Sequence, residues 1–152
     1  MIKEGFNLSK IKNLFLCLLA GSIALILTGQ PVKASQQYVH SPTPTLFFHG
    51  YNSGAHAEQY MINGIKKAGV SKTVITAEVA ANGKVTLQGR IPDGATNPLV
   101  MVNFVNSRNT DYPLQGQWVK NVIVKLQEQY HFKKINIEAH SMGNMAVMYY
   151  LL

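Results

Sequence analysis

The sequence predicts an α/β fold built on a mainly parallel sheet, and two observations carry that prediction. Short apolar runs alternate along the chain with segments of helical periodicity. Two of those runs, Thr45–Phe48 and Leu99–Val102, lack the apolar/polar alternation of a half-exposed strand and read as strands covered by helices on both faces. There is no internal repeat or low-complexity tract, and 152 residues suit one such domain at most.

The first 34 residues read as an export signal rather than part of the fold. Lys3, Lys10 and Lys12 precede the apolar stretch Leu14 to Leu27, and Val32-Lys33-Ala34 offers a small-residue cleavage site. An uncleaved anchor competes with cleavage, although the apolar stretch falls short of the roughly 20 residues that span a bilayer. Cys17 lies inside that stretch after Leu14-Phe15-Leu16, not after the small residues of a lipoprotein site. The expected location is therefore secreted or cell surface.

Cys17 is the sole cysteine, so the exported remainder must be stabilised by its core rather than by disulfides or a thiolate metal site. Much of the +7 net charge lies in the signal. The residual positive charge suits a solvated basic face or association with an anionic cell wall or membrane surface. No basic run interleaved with aromatics suggests nucleic-acid binding.

Residues 35–44, polar with two prolines, read as a flexible lead-in to a domain over 45–152. After the Thr45–Phe48 strand, His49-Gly50 makes a turn. Asn52 and Ser53 then offer caps to a helix whose face holds Met61, Ile65 and Ala68 and which stops at Gly69. Ile75, Ala77 and Val79 alternate with polar neighbours, Asn82-Gly83 follows, and Val85, Leu87 and Ile91 resume the pattern. That spacing predicts a β-hairpin, inserted at the periphery. Pro92–Pro98 and Asn106–Pro113 are loops on either side of the Leu99 strand. Trp118, Val122, Ile123, Leu126 and Tyr130 recur at helical spacing and should pack on the sheet. Lys134 to His140 is the next strand, and an apolar segment runs on to Leu152.

The chemistry sits where that strand meets that segment. Ala139-His140-Ser141-Met142-Gly143 places a serine between a strand and a helix with small residues two positions to either side, as a sharp nucleophile turn requires. Ala139 stands where glycine is commoner. Ser141 is the expected nucleophile. The backbone N–H groups of Tyr51 and Met142 are the expected oxyanion donors, one from the turn after an early strand and one from the residue after the serine. His49, Gly50, Ala139, His140 and Gly143 are expected to support the turn and the loop; for His49, holding the loop by hydrogen bonds is preferred to a catalytic role. His140 should face away from the serine by strand alternation. His56 and His131 suit surface roles. Asp93 and Asp111 precede the serine, against the chain order serine, acid, histidine. No His, Asp or Glu follows Ser141. A metal site from His49, His56 and His140 has no ligand-spacing motif behind it, and no metal or cofactor is expected.

Over Thr45–Leu152 the chain resembles secreted or surface-associated α/β-hydrolases of Gram-positive bacteria grouped as a domain of unknown function. The resemblance rests on His49-Gly50-Tyr51-Asn52-Ser53-Gly54, Asn82-Gly83-Lys84-Val85 and Ala139-His140-Ser141-Met142-Gly143-Asn144. It implies about the first half of a hydrolase domain, a partial α/β-hydrolase fold, with Ser141 as nucleophile. In its complete form such a protein would act on an ester or other acyl bond of a small-molecule or lipid substrate. Without the later acid and histidine this chain is expected to be inactive alone and to leave a hydrophobic sheet edge unpaired. A non-catalytic secreted binding protein and a decayed gene product remain the alternatives.

Overall fold

The structure, a computed structural model, describes residues 38–152; the export signal read in residues 1–34 lies outside the described residues. Five strands form one sheet: β1 (Thr45–Phe48), β2 (Val74–Val79), β3 (Val85–Gln88), β4 (Leu99–Phe104) and β5 (Asn136–Ala139), in the order β3-β2-β4-β1-β5. Only the β2–β3 pairing is antiparallel. Among the described residues three α-helices accompany them: α1 (Gln59–Lys67), entered through a 3₁₀ turn at Ala55–Glu58, α2 (Tyr112–Tyr130) and α3 (Met142–Leu151).

Register sets the two ends of the sheet. Thr45 aligns with both Leu99 and Asn136, and Leu99 with Val74, so the four parallel strands start at one level, here termed the base. Their carboxyl ends deliver the loops after β1, β4 and β5 to the opposite end. Chain direction across the sheet switches at β1: one connection leads from β1 through α1 to β2, the other from β4 past β1 to β5. Crevices at such switch points are where open α/β sheets bind ligands.

Alternation along the strands explains the uniformly apolar runs. Leu46, Phe48, Val100, Val102 and Phe104 pack with Trp118, Val122 and Leu126 of α2 and Ala146 of α3. Phe47 and Leu99 face the other way and meet Ile62 of α1. Each run therefore feeds two cores, and the sheet lies between helical layers as the sequence predicts.

Three local expectations change. The hairpin forms, closed by Gly83 at φ 82° and an Asn82 side chain that accepts from Lys84 N–H at 3.1 Å. Only β3 is peripheral, because β2 pairs along its whole length with β4. In α1 the buried residue is Ile62, while Met61 and Ala68 are exposed. The 3₁₀ turn, at about three residues per turn, advances the phase of the helix relative to a continuous α-helix, and the inward face becomes Glu58, Ile62 and Ile65. Asn52 adopts a left-handed conformation instead of capping. Gly69, at φ 75°, does end the helix, its N–H reaching Lys66 O and that of Val70 reaching Ile65 O.

Candidate active site

Ser141 sits at the exposed end of β5 with φ 52° and ψ −119°. Among the described residues the other non-glycine residues at positive φ are Asn52, Asn97 and His131, and the asparagines are of the type that tolerates this region. A serine there costs on the order of 1–3 kcal/mol and persists only where its surroundings impose it. Two glycines show how. A β-carbon on Gly143 would lie 2.6 Å from Phe48 O and 2.8 Å from His49 O, so the first turn of α3 is set directly against the end of β1. A β-carbon on Gly50 would lie 3.1 Å from Ser141 Cβ and 3.2 Å from His140 Nδ1, so the loop after β1 crosses directly against the side chains of the serine turn. Ala139 is half-buried, and His140 N–H extends the pairing by donating to Phe48 O at 2.9 Å. Ser141 occupies the N-cap position of α3, yet its hydroxyl caps no backbone N–H.

Met142 begins α3, where a backbone N–H has no acceptor within the helix. Tyr51 lies in the crossing loop, and the orientation of its N–H follows from His49. The buried imidazole donates from Nδ1 to Gly50 O at 2.8 Å and accepts at Nε2 from Phe104 N–H at 3.0 Å. Only the neutral ring with its proton on Nδ1 satisfies both bonds. In a trans peptide the Gly50 carbonyl and the Tyr51 N–H point in opposite directions. Drawing the carbonyl inward to His49 therefore turns the Tyr51 N–H outward. Burial pushes the His49 pKa below 6.5; the Gly50 carbonyl and Glu58 oppose that shift, and His56 adds to it.

Further bonds tie the loop after β1 to β4 and to the loop after β4. Asn52 N–H donates to Ser107 O at 2.8 Å, Arg108 Nε donates to Asn52 Oδ1 at 2.8 Å, and Ala55 N–H donates to Asn103 Oδ1 at 3.2 Å. Gln115, fully buried in the first turns of α2, donates from Nε2 to Asn109 O at 2.5 Å and approaches Met142 Sδ at 3.6 Å, while its Oε1 has no partner. Gln115 was not anticipated from sequence. The signal was a glutamine three residues before Trp118, on the same stripe of α2 that carries its apolar residues.

The remaining candidates lie elsewhere. Asp111 caps α2 by accepting from Leu114 N–H at 3.1 Å. Asp93 and His131 belong to segments at the base, and His131 terminates α2 in a left-handed conformation. His56 is exposed in the 3₁₀ turn. Among the described residues no group of three His, Cys, Asp or Glu side chains is placed to hold a metal ion.

Known structures share this arrangement of strands and helices. A Listeria innocua protein, the product of gene lin2722, superposes with a TM-score of 0.68 at 23% identity over 72% of this chain and 44% of its own. A Lactobacillus plantarum WCFS1 protein carrying the provisional name cell surface hydrolase gives a TM-score of 0.59 at 22% identity over 66% of this chain and 42% of its own. At these identities the likeness is one of fold, and the chain spans less than half the length of either protein. No curated protein matches the sequence. Residues 32–152, from before the lead-in through the serine turn and α3, match the family described as alpha/beta hydrolase of unknown function (DUF915), and the chain belongs to that family.

Proposed function

We propose that this chain carries the nucleophile half of an exported, cell-surface serine hydrolase that acts on an ester or related acyl bond. The observation that carries the reading is the strained backbone of Ser141, which presents an uncapped hydroxyl between a strand and a helix. In the proposed reaction Ser141 Oγ attacks the acyl carbonyl carbon and its proton passes to a general base. The carbonyl oxygen takes up negative charge between the Tyr51 and Met142 N–H groups; collapse, with the base returning its proton to the leaving oxygen, expels the alcohol and leaves an acyl-serine that water hydrolyses. Asp111 is engaged as a helix cap, and none of residues 38–152 is assigned as the base or its carboxylate. The export signal read at the N-terminus and the name of the Lactobacillus neighbour support a cell-surface location.

In residues 1–152 taken alone, with no assigned base, Ser141 should react slowly, because absence of a triad member costs roughly three or more orders of magnitude in rate. Incubation of the full chain with a fluorophosphonate, followed by peptide mapping, should find slow modification confined to Ser141 and absent in Ser141→Ala. Modification spread over other serines would sink the nucleophile assignment. Labelling within seconds would instead show that the machinery is complete.

A further inference from the structure

Charge is divided unevenly between the two ends of the sheet. Lys72 and Lys134 each lie two residues before a parallel strand, Lys133 one further, and Arg90 two residues after the descending β3; Lys66 and Lys67 end α1 on the same side. All six are exposed, and the carboxylates on this side are Asp93 and Glu128. Toward the opposite end the charged residues are of both signs, Glu78, Asp111 and Glu138 with Lys84 and Arg108, and Arg108 is held by Asn52. The six residues of β4 separate the ends by roughly 20 Å at about 3.3 Å per residue, about twice the screening length at physiological salt. A charged surface thus meets the base as a cationic face, separately from the Ser141 end.

The base is also where the chain leaves the domain. Asn97 N–H donates to Ser41 O at 2.7 Å, Ser41 N–H donates to Asn97 Oδ1 at 3.0 Å, and Asn97 Nδ2 donates to Val39 O at 2.9 Å. Residues 39–41 are thereby fixed across the base, and Val39 is 82% exposed. The apolar stretch Leu14 to Leu27 lies upstream of this exit. Beside it a cavity of about 500 Å³ is lined by Ile91, Tyr130 and Phe132 together with Lys133, Lys134 and Asp93. Aromatic and apolar groups set within a face of net positive charge suit the interfacial zone of a bilayer, where amphipathic rings sit at headgroup level, better than they suit a freely soluble polyanion.

We infer that the base is a docking face for an anionic lipid bilayer, holding the domain with Ser141 directed away from the membrane. The inference rests on the cell-surface location proposed above. Each Lys or Arg near an anionic bilayer adds about five-fold to partitioning, so removing four should lower affinity by at least ten-fold.

The test is amide hydrogen exchange of the full chain bound to phosphatidylcholine vesicles with and without phosphatidylglycerol, together with vesicle-binding titrations. Protection should appear at residues 89–97 and 130–136 only on the anionic vesicles. It should be lost, with the ten-fold fall in affinity, in K72Q/R90Q/K133Q/K134Q and retained in K84Q/K120Q. Equal protection on neutral vesicles, protection at the loops around Ser141, or the same protection from soluble polyphosphate would each overturn the inference. Protease added to intact cells reads export separately: a chain sheltered from protease would refute the surface location, whereas failure on vesicles with an accessible chain would refute only the docking face.

Discussion

His49 couples the core to the oxyanion loop through one neutral ring. Protonation would turn Nε2 from an acceptor into a donor facing Phe104 N–H and would place charge in a buried site. Burial lowers the folded-state pKa below the unfolded value of 6.5, so below about pH 6.5 the unfolded chain binds more protons than the folded one. The stability that neutral His49 contributes is thus fully present above the unfolded pKa. It is lost as pH falls from there through the lowered folded pKa. Denaturation midpoints followed from pH 8 to pH 5 should decline over that window, and the His49 component of the decline should vanish in His49→Phe. That variant keeps a ring beside Phe104, now 5.6 Å away centroid to centroid, but leaves the Gly50 carbonyl and the Phe104 N–H unpaired, which should cost roughly 2–4 kcal/mol. An unchanged pH profile in the variant would contradict this account of the loop.

Helix packing decides where the serine turn sits, and two glycines with opposite surroundings make that testable. A β-carbon on Gly116 of α2 would lie 2.8 Å from the Tyr149 carbonyl carbon and 2.9 Å from Tyr150 N, so α2 and α3 meet backbone to backbone. Gly116→Ala should force α3 outward and cost roughly 1–3 kcal/mol. Gly64, exposed within α1, has nothing within 4 Å of the same position, and Gly64→Ala should stabilise by about 0.5–1 kcal/mol. Urea unfolding of both variants checks the contrast, and a neutral Gly116→Ala would mean that α3 is free to shift. At this scale the sequence was informative wherever periodicity or turn chemistry acted alone: the apolar stripe of α2, the Asn82-Gly83 turn, and the strand–serine–helix order. It misled where one element's geometry depended on another. The phase of α1 depends on the 3₁₀ turn packed on β1 and β4, and the place of β2 depends on pairing with β4, a partner 20 or more residues away along the chain. Gln115 and Asn103 escaped notice because single polar residues acquire meaning only from the loops they hold.

The whole molecule is lopsided about β1. On one side β4 and β2 continue the sheet to β3; on the other, β5 pairs with β1 alone among the described residues. Ile137 and Ala139 of β5 are only half-buried, and α3 exposes Met148 by 54% and Leu151 by 67%. An unpaired strand edge beside an apolar helix is a template for strand addition and hydrophobic association. The chain produced by itself should therefore self-associate, with light scattering that rises with concentration. Because the exposed edge is a geometric feature and the apolar helix a surface one, separate changes discriminate them. Asn136→Lys places a charge on the free strand at a position exposed to solvent, and Met148→Glu together with Leu151→Lys makes the helix face polar without touching Gly116 or Gly143. If edge pairing drives association, the β5 change alone should restore a monomer in sedimentation; if the helix face does, only the α3 pair should. A monomer before any change, with a sharp thermal transition, would show that β1 and the two cores suffice to hold β5 and α3, and with them Ser141, in place.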